Sequence, residues 1–228
     1  MKFYVEDKVL DTGVKILFAL IEGVDNHSIH KEWQQYRAIK INELAQEYCN
    51  TDFHADPILE SYNILHDKSN VKRRKNISAS ENLIRTLQKH GDIPAINQVV
   101  DIYNVISVES RIALGAHDCD KVTGNVTLRF TDGTETFQPI GQQDATLSNP
   151  HEYSYCDDSN EVLCRLEIRQ VEKTKVTEDT HNLFYIIQGN DSTSLEYLQQ
   201  TAEKIISLTV KYCGGTGKII VPEIITTD

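Results

Sequence analysis

The chain has 228 residues and a formal net charge of −11 at pH 7, with 39% hydrophobic and 25% charged residues. A chain of this length and apolar content can bury a sizeable core, which excludes intrinsic disorder as its overall state. No run of about 18 apolar residues occurs, so a membrane span is excluded. The acidic charge has the wrong sign overall for a nucleic-acid binder, which leaves room for a local basic patch that contacts RNA; no DNA partner is predicted.

The first half of the chain predicts one strand followed by helices. "GVKILFALIEGV" is apolar and bounded by glycines, which indicates an early buried strand. A helical pattern covers about residues 28–48, and a shorter helix is expected at "PILESYNILHDK". In "SASENLIRTLQKHG", Ser78 and Glu81 have capping-box spacing and Gly91 is placed to end the helix. Pro94 is then expected in the first turn of the next helix.

The segment "PAINQVVDIYNVISVE", residues 94–109, is apolar around most of a helical circumference, which predicts a buried helix. Its β-branched residues also permit a strand, but Asn97, Asp101 and Asn104 form one narrow stripe at helical spacing. Buried polar groups need partners, because each unpaired group costs about 1–3 kcal/mol. The stripe is therefore either a structural hydrogen-bond network or the wall of a ligand pocket.

The second half of the chain changes to β-type patterns. "NVTLRFTDGTETFQPI" predicts a hairpin around its central Asp-Gly, and "EYSYCD", "EVLCRLEIRQ" and "NLFYIIQG" predict further strands. A long amphipathic helix over residues 193–213 is expected to close the chain, with Thr193 and Glu196 as its capping box. Without repeats or Pro/Gly linkers, residues 1–228 are expected to form a single α+β domain.

Charged clusters in three places admit both structural and functional interpretations. The basic run, Lys72, Arg73, Arg74 and Lys75, is either a solvated loop or an RNA-backbone contact. In "CRLEIRQ", Arg165, Glu167 and Arg169 would share one strand face, as a salt-bridge ladder or with Arg169 holding a carboxylate or phosphate. In "HDCD", His117, Asp118 and Asp120 suggest a metal site, a turn or a pocket; strand alternation separates the histidine from the carboxylates, so no metal is predicted.

The cysteines and the N-terminal residues indicate a compartment. The five cysteines are odd in number and include no CxxC pair, so neither a disulfide framework nor a zinc ribbon is expected. "MKFYVEDKVLDTG" lacks the apolar core of a secretory signal. We therefore predict a cytoplasmic protein, and we predict no cofactor.

A long stretch, "INQVVDIYNVISVESRIALGAHDCDKVTG", resembles the tRNA-editing domain in the β subunit of bacterial and archaeal phenylalanyl-tRNA synthetases. That family has an Asn, then Val-Asp-x-x-Asn, a small-residue turn and Asp-x-Asp-Lys. The matching residues are Asn97, Val100 to Asn104, Gly115 with Ala116, and Asp118 to Lys121. The Asp-Gly hairpin and "VTEDTHNLFYII" also resemble the family, and the likeness covers roughly residues 75–190.

The resemblance implies a three-layer α+β fold that combines an unusual β-sandwich with packed helices. It implies hydrolysis of mischarged aminoacyl-tRNA in trans, with tRNA and an amino-acid-like small molecule as partners. The alternative is a non-catalytic binder of an amino-acid-like ligand in the same pocket. Because no class II catalytic motif and no further tRNA-binding domain is visible, the chain resembles a free-standing editing domain rather than a complete synthetase.

Site roles follow from the resemblance together with the chemistry of ester hydrolysis, which needs a positioned water and donors for the oxyanion. Asn104, Asp101 and Glu152 are the predicted catalytic group. The predicted substrate-binding residues are Asn97, Tyr103, Gly115, Ala116, His117, Asp118, Gly133 and Arg169. For Gly133 and Glu152, a plain turn and an ordinary strand start are the structural alternatives.

Two positions depart from the family pattern. Bacterial synthetases carry a His before the Ala of Gly-Gln-Pro-x-His-Ala-Phe-Asp, where this chain has Gly115. Tyr103 stands where many bacterial members carry Thr. His117 lies two places beyond the family histidine and is not expected to take over its role. The departures weaken an assignment to tyrosine-specific editing and leave the expectation of a shared pocket in place.

Overall fold

The structure, a computed structural model, describes residues 1–28, 30–53, 55–69, 71–72 and 76–227. The strands within them are β1 (Phe3–Glu6), β2 (Lys15–Glu22), β3 (Ala113–Asp118), β4 (Val126–Phe130), β5 (Thr136–Phe137), β6 (Thr146–Leu147), β7 (Tyr153–Asp157), β8 (Val162–Arg165), β9 (Arg169–Gln170), β10 (Asn182–Gly189), β11 (Thr216–Ile220) and β12 (Glu223–Ile225). The helices are α1 (Asp7–Leu10), α2 (Lys31–Tyr48), α3 (Pro57–Lys68), α4 (Ala79–His90), α5 (Gln98–Ser110) and α6 (Leu195–Cys213).

Three layers make up the fold. A four-stranded sheet, in the order β11-β2-β10-β3, lies between a layer of helices and a six-stranded sheet, in the order β12-β1-β4-β7-β8-β9. Side chains of β2 alternate between the two cores: Leu17 and Ile21 pack with the helices, whereas Ile16 and Phe18 pack between the sheets. The expected three-layer α+β fold with a β-sandwich is confirmed.

The helices with local end signals form where the sequence places them. Helix α3 covers "PILESYNILHDK". At the start of α4, the Glu81 backbone N–H donates to Ser78 Oγ at 3.3 Å, and Gly91 ends the helix with a φ of 72°. Within the described residues, no helix combines the length and apolar character that crossing a bilayer requires.

Two helices begin later than predicted, because other side chains cap them. Helix α5 begins at Gln98, since Asn97 Oδ1 accepts from the Val100 N–H at 3.0 Å, and Pro94 lies in the preceding loop. Helix α6 begins at Leu195 rather than at residue 193, since Ser194 Oγ accepts from the Tyr197 N–H at 3.0 Å. Strands β11 and β12 then follow α6, which the sequence patterns did not predict.

The predicted hairpin around the Asp-Gly turn is wrong. Strand β4 pairs with β1 and β7, whereas β5 pairs with β6. The buried carboxylate of Glu135 accounts for this, because it accepts from the backbone N–H groups of Asp132 and Gly133, each at 3.1 Å. These bonds hold the segment between β4 and β5 as a loop instead of a two-residue turn.

The predicted strand "EVLCRLEIRQ" is interrupted, so the Arg-Glu-Arg ladder does not form. Leu166 has a φ of 53°, a left-handed conformation that ends β8 before β9 begins. The reversal buries Glu167, whose Oε1 lies 2.5 Å from Nε2 of His66. Arg165 and Arg169 consequently do not share one strand face with Glu167.

Candidate functional site

Helix α5 is buried along nearly its whole length, and two of its three striped polar residues are used by the local backbone. Besides capping the helix, Asn97 donates from Nδ2 to the Val176 carbonyl at 3.2 Å. Asp101 Oδ1 accepts from the Ile96 N–H at 2.8 Å, and burial raises the pKa of this carboxyl above its ordinary value. Neither side chain lines the cleft beside α5, so both have a structural place in the fold.

The third residue of the stripe, Asn104, faces a cleft. Its side chain is buried, with the residue 8% exposed, and it makes no hydrogen bond to the part of the chain that the structure describes. The cleft has a volume of ≈370 Å³ and lies where α4 and α5 meet β3 and β9. We call it the amide cleft; its polar residues are Asn82, Tyr103, Asn104, Arg169 and Gln170, and its apolar residues are Ile77, Ala79, Leu83, Leu114 and Ile168.

The polar groups of the amide cleft include several hydrogen-bond donors. Burial raises the pKa of Tyr103 to about 12, while a hydrogen bond with the Gln170 side chain opposes the rise, so the phenol stays protonated at neutral pH. Arg169 is exposed and pairs with no carboxylate among the described residues. Among the described residues, no carboxylate or imidazole lines the cleft. This arrangement suits a ligand with carbonyl, carboxylate or phosphate oxygens.

A small recess adjoins the amide cleft behind Gln170. The recess has ≈30 Å³ and is lined by Ala113, Gly115, Cys164, Glu167 and Ile186, together with four residues of the cleft. Gln170 was not among the predicted site residues. Its position next to Arg169 in "CRLEIRQ" was the one available signal. The left-handed Leu166 ends the strand and brings Gln170 against Gly115, and no periodic pattern in the sequence indicates such a break.

Comparison with known proteins identifies the family of this chain. The profile of the family described as "B3/4 domain" matches residues 68–214, well over half of the chain. The chain belongs to the B3/4 domain family. The matched span contains every residue of the amide cleft.

Two relatives agree with this family. The β subunit of phenylalanine–tRNA ligase from Mycoplasma genitalium is 25% identical over 114 residues, which are 50% of this chain and 14% of that protein. The crystal structure of an N-terminal fragment of the phenylalanyl-tRNA synthetase β-subunit from Pyrococcus horikoshii has a TM-score of 0.51 at 15% identity, over 100% of this chain and 52% of that one. The resemblance predicted from the sequence is thereby confirmed, and the chain spans only a small part of the synthetase subunit's length.

Several predicted substrate-binding residues of this B3/4 domain lie away from the amide cleft. Ala116 packs in the core beneath the helices. His117 stacks on Phe184 with ring centroids 5.2 Å apart, its Nδ1 lies 2.7 Å from Thr174 Oγ1, and burial lowers its pKa to about 3. Asp118 caps a short 3-10 turn, as Oδ1 accepts from the Asp120 N–H at 3.0 Å. For Asp118, the turn interpretation is the one that the geometry supports.

Glu152 and Gly133, from the β half of the predicted pocket, also lie outside the amide cleft. The Glu152 carboxylate accepts two hydrogen bonds from the Arg165 guanidinium, at 2.5 and 2.6 Å. Gly133 has a φ of 92° and donates its N–H to Glu135, as a turn glycine does. Of the predicted site residues, the amide cleft brings together Tyr103, Asn104 and Arg169, with Gly115 at the adjoining recess.

A groove continues from the amide cleft towards the basic run. One part, of ≈290 Å³, is lined by Asn76, Asn149, Arg165 and Arg169 among others; the next part, of ≈500 Å³, shares the first three of these and reaches Lys72 and His151. We call the two parts together the outer groove. The predicted RNA-binding residues Arg73, Arg74 and Lys75 lie outside the described residues.

Proposed function

We propose that this chain hydrolyses the ester bond of mischarged aminoacyl-tRNA in trans, with the amide cleft holding the aminoacyl end. The observation that carries the proposal is Asn104, a buried amide that has no hydrogen-bond partner among the described residues and faces a cleft inside the B3/4 span. The amide is open to the cleft rather than sealed from solvent, so its donor and acceptor are available to a ligand there. The names of the relatives, subunits of a tRNA ligase, favour an aminoacyl-tRNA as that ligand.

The reaction that fits these groups needs little acid–base help. In ester hydrolysis the water oxygen bonds to the carbonyl carbon, the carbon–ribose oxygen bond breaks, and the water's proton passes to the ribose oxygen or to solvent. Negative charge develops on the carbonyl oxygen, where the amide N–H groups of Asn104 would stabilise it. Arg169, at the cleft mouth, would hold a phosphate of the terminal nucleotide.

A second function is favoured by one specific observation. Within the part of the chain that the structure describes, no carboxylate or imidazole that could take a proton from water lines the amide cleft. Three amides, a phenol and a guanidinium are suited to holding an amino-acid-like ligand through its carboxylate without reacting with it. The alternative is therefore a non-catalytic binder that uses the same cleft.

A panel of tRNAs charged with different amino acids separates the two functions. For the hydrolase we expect at least one mischarged species to lose its amino acid faster with the protein than in buffer, as followed by the decay of labelled aminoacyl-tRNA. Binding of free amino acids or of non-hydrolysable aminoacyl analogues, without deacylation of any species, would select the binder. Neither binding nor turnover of any panel member would contradict both.

We propose the outer groove as the path of the RNA strand. Lys72 and Arg169 lie at its two ends, and Lys72 begins the one basic run of an otherwise acidic chain. Arg165 lies between them but is paired with Glu152, which also lines the groove. Each phosphate contact releases counterions, so RNA bound along this groove should dissociate as salt rises.

Replacing Lys72, Arg73, Arg74 and Lys75 together by Ala is expected to weaken tRNA binding and to flatten its salt dependence. Each lost phosphate contact should lower the slope of log K against log salt by about 0.7–0.9. Fluorescence anisotropy of labelled tRNA across a salt series measures both quantities. The matched control replaces Lys211 and Lys218, exposed lysines outside the outer groove, by Ala. An unchanged slope in the basic-run variant would remove that run from the interface.

A further inference from the structure

The side chain of Gln170 stands between the amide cleft and the recess. It is among the residues that line both spaces. Its backbone is fixed on two sides, because β9 pairs with Cys164 of β8 and the Gln170 carbonyl accepts from the Ile140 N–H at 3.0 Å. The phenol of Tyr103 lies close enough to the Gln170 side chain to affect its own pKa. Gln170 is therefore a placed group rather than a free surface amide.

Gly115 provides the space that the Gln170 carboxamide occupies. A Cβ at position 115 would lie 2.6 Å from Nε2 and 3.4 Å from Cδ of Gln170, and the first distance is shorter than any ordinary contact. Gly115 is not among the glycines with positive φ, so its backbone does not require glycine. A Cβ at 115 would displace the carboxamide, the mobile end of the Gln170 side chain, from its observed place.

The recess behind Gln170 is small and mostly apolar. Its ≈30 Å³ has room for about one or two water molecules. Ala113, Cys164 and Ile186 line it, and the Glu167 oxygens at its edge are already bonded to His66, Tyr153 and Gln188. An apolar ligand group would fit this lining, but only if the Gln170 carboxamide were absent.

We propose that Gln170 is the specificity-determining residue of the amide cleft. Its carboxamide closes the recess and confronts the ligand's side chain with a hydrogen-bonding group, which selects small or hydroxyl-bearing amino acids and rejects large apolar ones. The inference rests on the proposed function, since it names the class of amino acid that the same cleft accepts.

The test measures binding of 3′-aminoacylamino-3′-deoxyadenosines, whose amide bond resists hydrolysis. A series carrying alanine, serine, threonine, leucine and phenylalanine is titrated calorimetrically into the wild type, Gln170→Ala and Gln170→Met. The wild type should bind the alanine, serine and threonine compounds more tightly than the leucine and phenylalanine compounds. Gln170→Ala should improve leucine and phenylalanine relative to alanine by about tenfold or more, the size of effect that a change of pocket volume produces. Gln170→Met should keep the recess closed but lose the preference for serine and threonine over alanine.

Controls separate a local effect from a loss of folding. Gln142→Ala, an exposed glutamine outside the cleft, should keep the wild-type profile. Gly115→Ala should weaken all binding by displacing Gln170, and Gly115→Ala/Gln170→Ala should regain binding. If the wild type binds but Gln170→Ala has the same size profile, the inference is overturned and the proposed function stands. If no analogue binds any variant, both are overturned.

Discussion

Asn104→Ala is expected to lower the deacylation rate by about 10²–10³-fold, the usual cost of removing one donor to an oxyanion. The free energy of unfolding should hardly change, because the Asn104 side chain makes no hydrogen bond to the described residues that the substitution could break. Single-turnover deacylation of the best substrate from the tRNA panel measures the rate, and urea denaturation measures the stability. An activity equal to the wild type's would remove Asn104 from the catalytic group.

Asn97→Ala is the matched control on the same helix. Its side chain caps α5 and bonds to Val176, so the substitution should cost about 0.5–2 kcal/mol of stability, the range for N-cap residues. The rate per folded molecule should stay at the wild-type value. Glu152→Gln separates the two interpretations of that residue in the same assays: as an ion-pair partner of Arg165 it changes stability, and as a catalytic carboxylate it changes the rate.

His66→Leu is expected to lower the free energy of unfolding by about 3–5 kcal/mol, the cost of removing one partner from a buried ion pair. Both side chains of the pair are almost completely buried, and the 2.5 Å contact leaves Glu167 without a cation when the imidazole is lost. His66→Leu/Glu167→Gln should recover part of this loss, because no uncompensated buried charge remains. Urea denaturation of the wild type and of both variants measures the three free energies of unfolding. A double variant no more stable than the single one would contradict this account.

The same pair predicts how stability depends on pH. Burial alone would lower the pKa of His66, but the charge and hydrogen bond of Glu167 raise it above its ordinary 6.5. Burial alone would raise the pKa of Glu167, but the charge and hydrogen bond of His66 lower it below its ordinary 4.5. The stability that protonated His66 contributes is complete below pH 6.5 and is lost as pH rises through its raised pKa. The stability that ionised Glu167 contributes is complete above pH 4.5 and is lost as pH falls through its lowered pKa.

The stability difference between the wild type and His66→Leu/Glu167→Gln should therefore be largest between pH 4.5 and 6.5 and should shrink at alkaline pH. Denaturation curves inside this window and above it measure the change. A difference that grows as pH rises through 6.5 would mean that the folded pair binds no proton, with a neutral imidazole beside an ionised carboxylate, and would contradict the ion pair.

Local signals in the sequence were enough for the helices whose ends carry their own caps. Ser78 and Gly91 bracket α4 where expected, because a capping bond spans only a few residues. Pairing between strands depends on distant segments, which is why the hairpin was predicted between strands that pair with other partners. The overall fold was predictable only through the family resemblance, which carries those distant pairings with it.

The candidate site was predictable in part, for a related reason. Periodicity correctly indicated that α5 is buried and that its polar residues need partners. It could not tell that Asn97 and Asp101 satisfy backbone groups nearby while Asn104 is left for the cleft, since this depends on what packs at each end of the helix. Gln170 was missed because a left-handed Leu166 redirects the chain before it.

The displacement of Gln170 by a side chain at position 115 also constrains how this cleft can evolve. Between a domain that carries Gln170 and one that carries a larger residue at 115, the order of the two substitutions matters. Enlarging position 115 first would force the carboxamide out of place at once, with a first contact of 2.6 Å. The open route shrinks residue 170 first, passes through an intermediate with an enlarged apolar recess, and only then adds a group at 115. That intermediate would bind the widest range of amino acids.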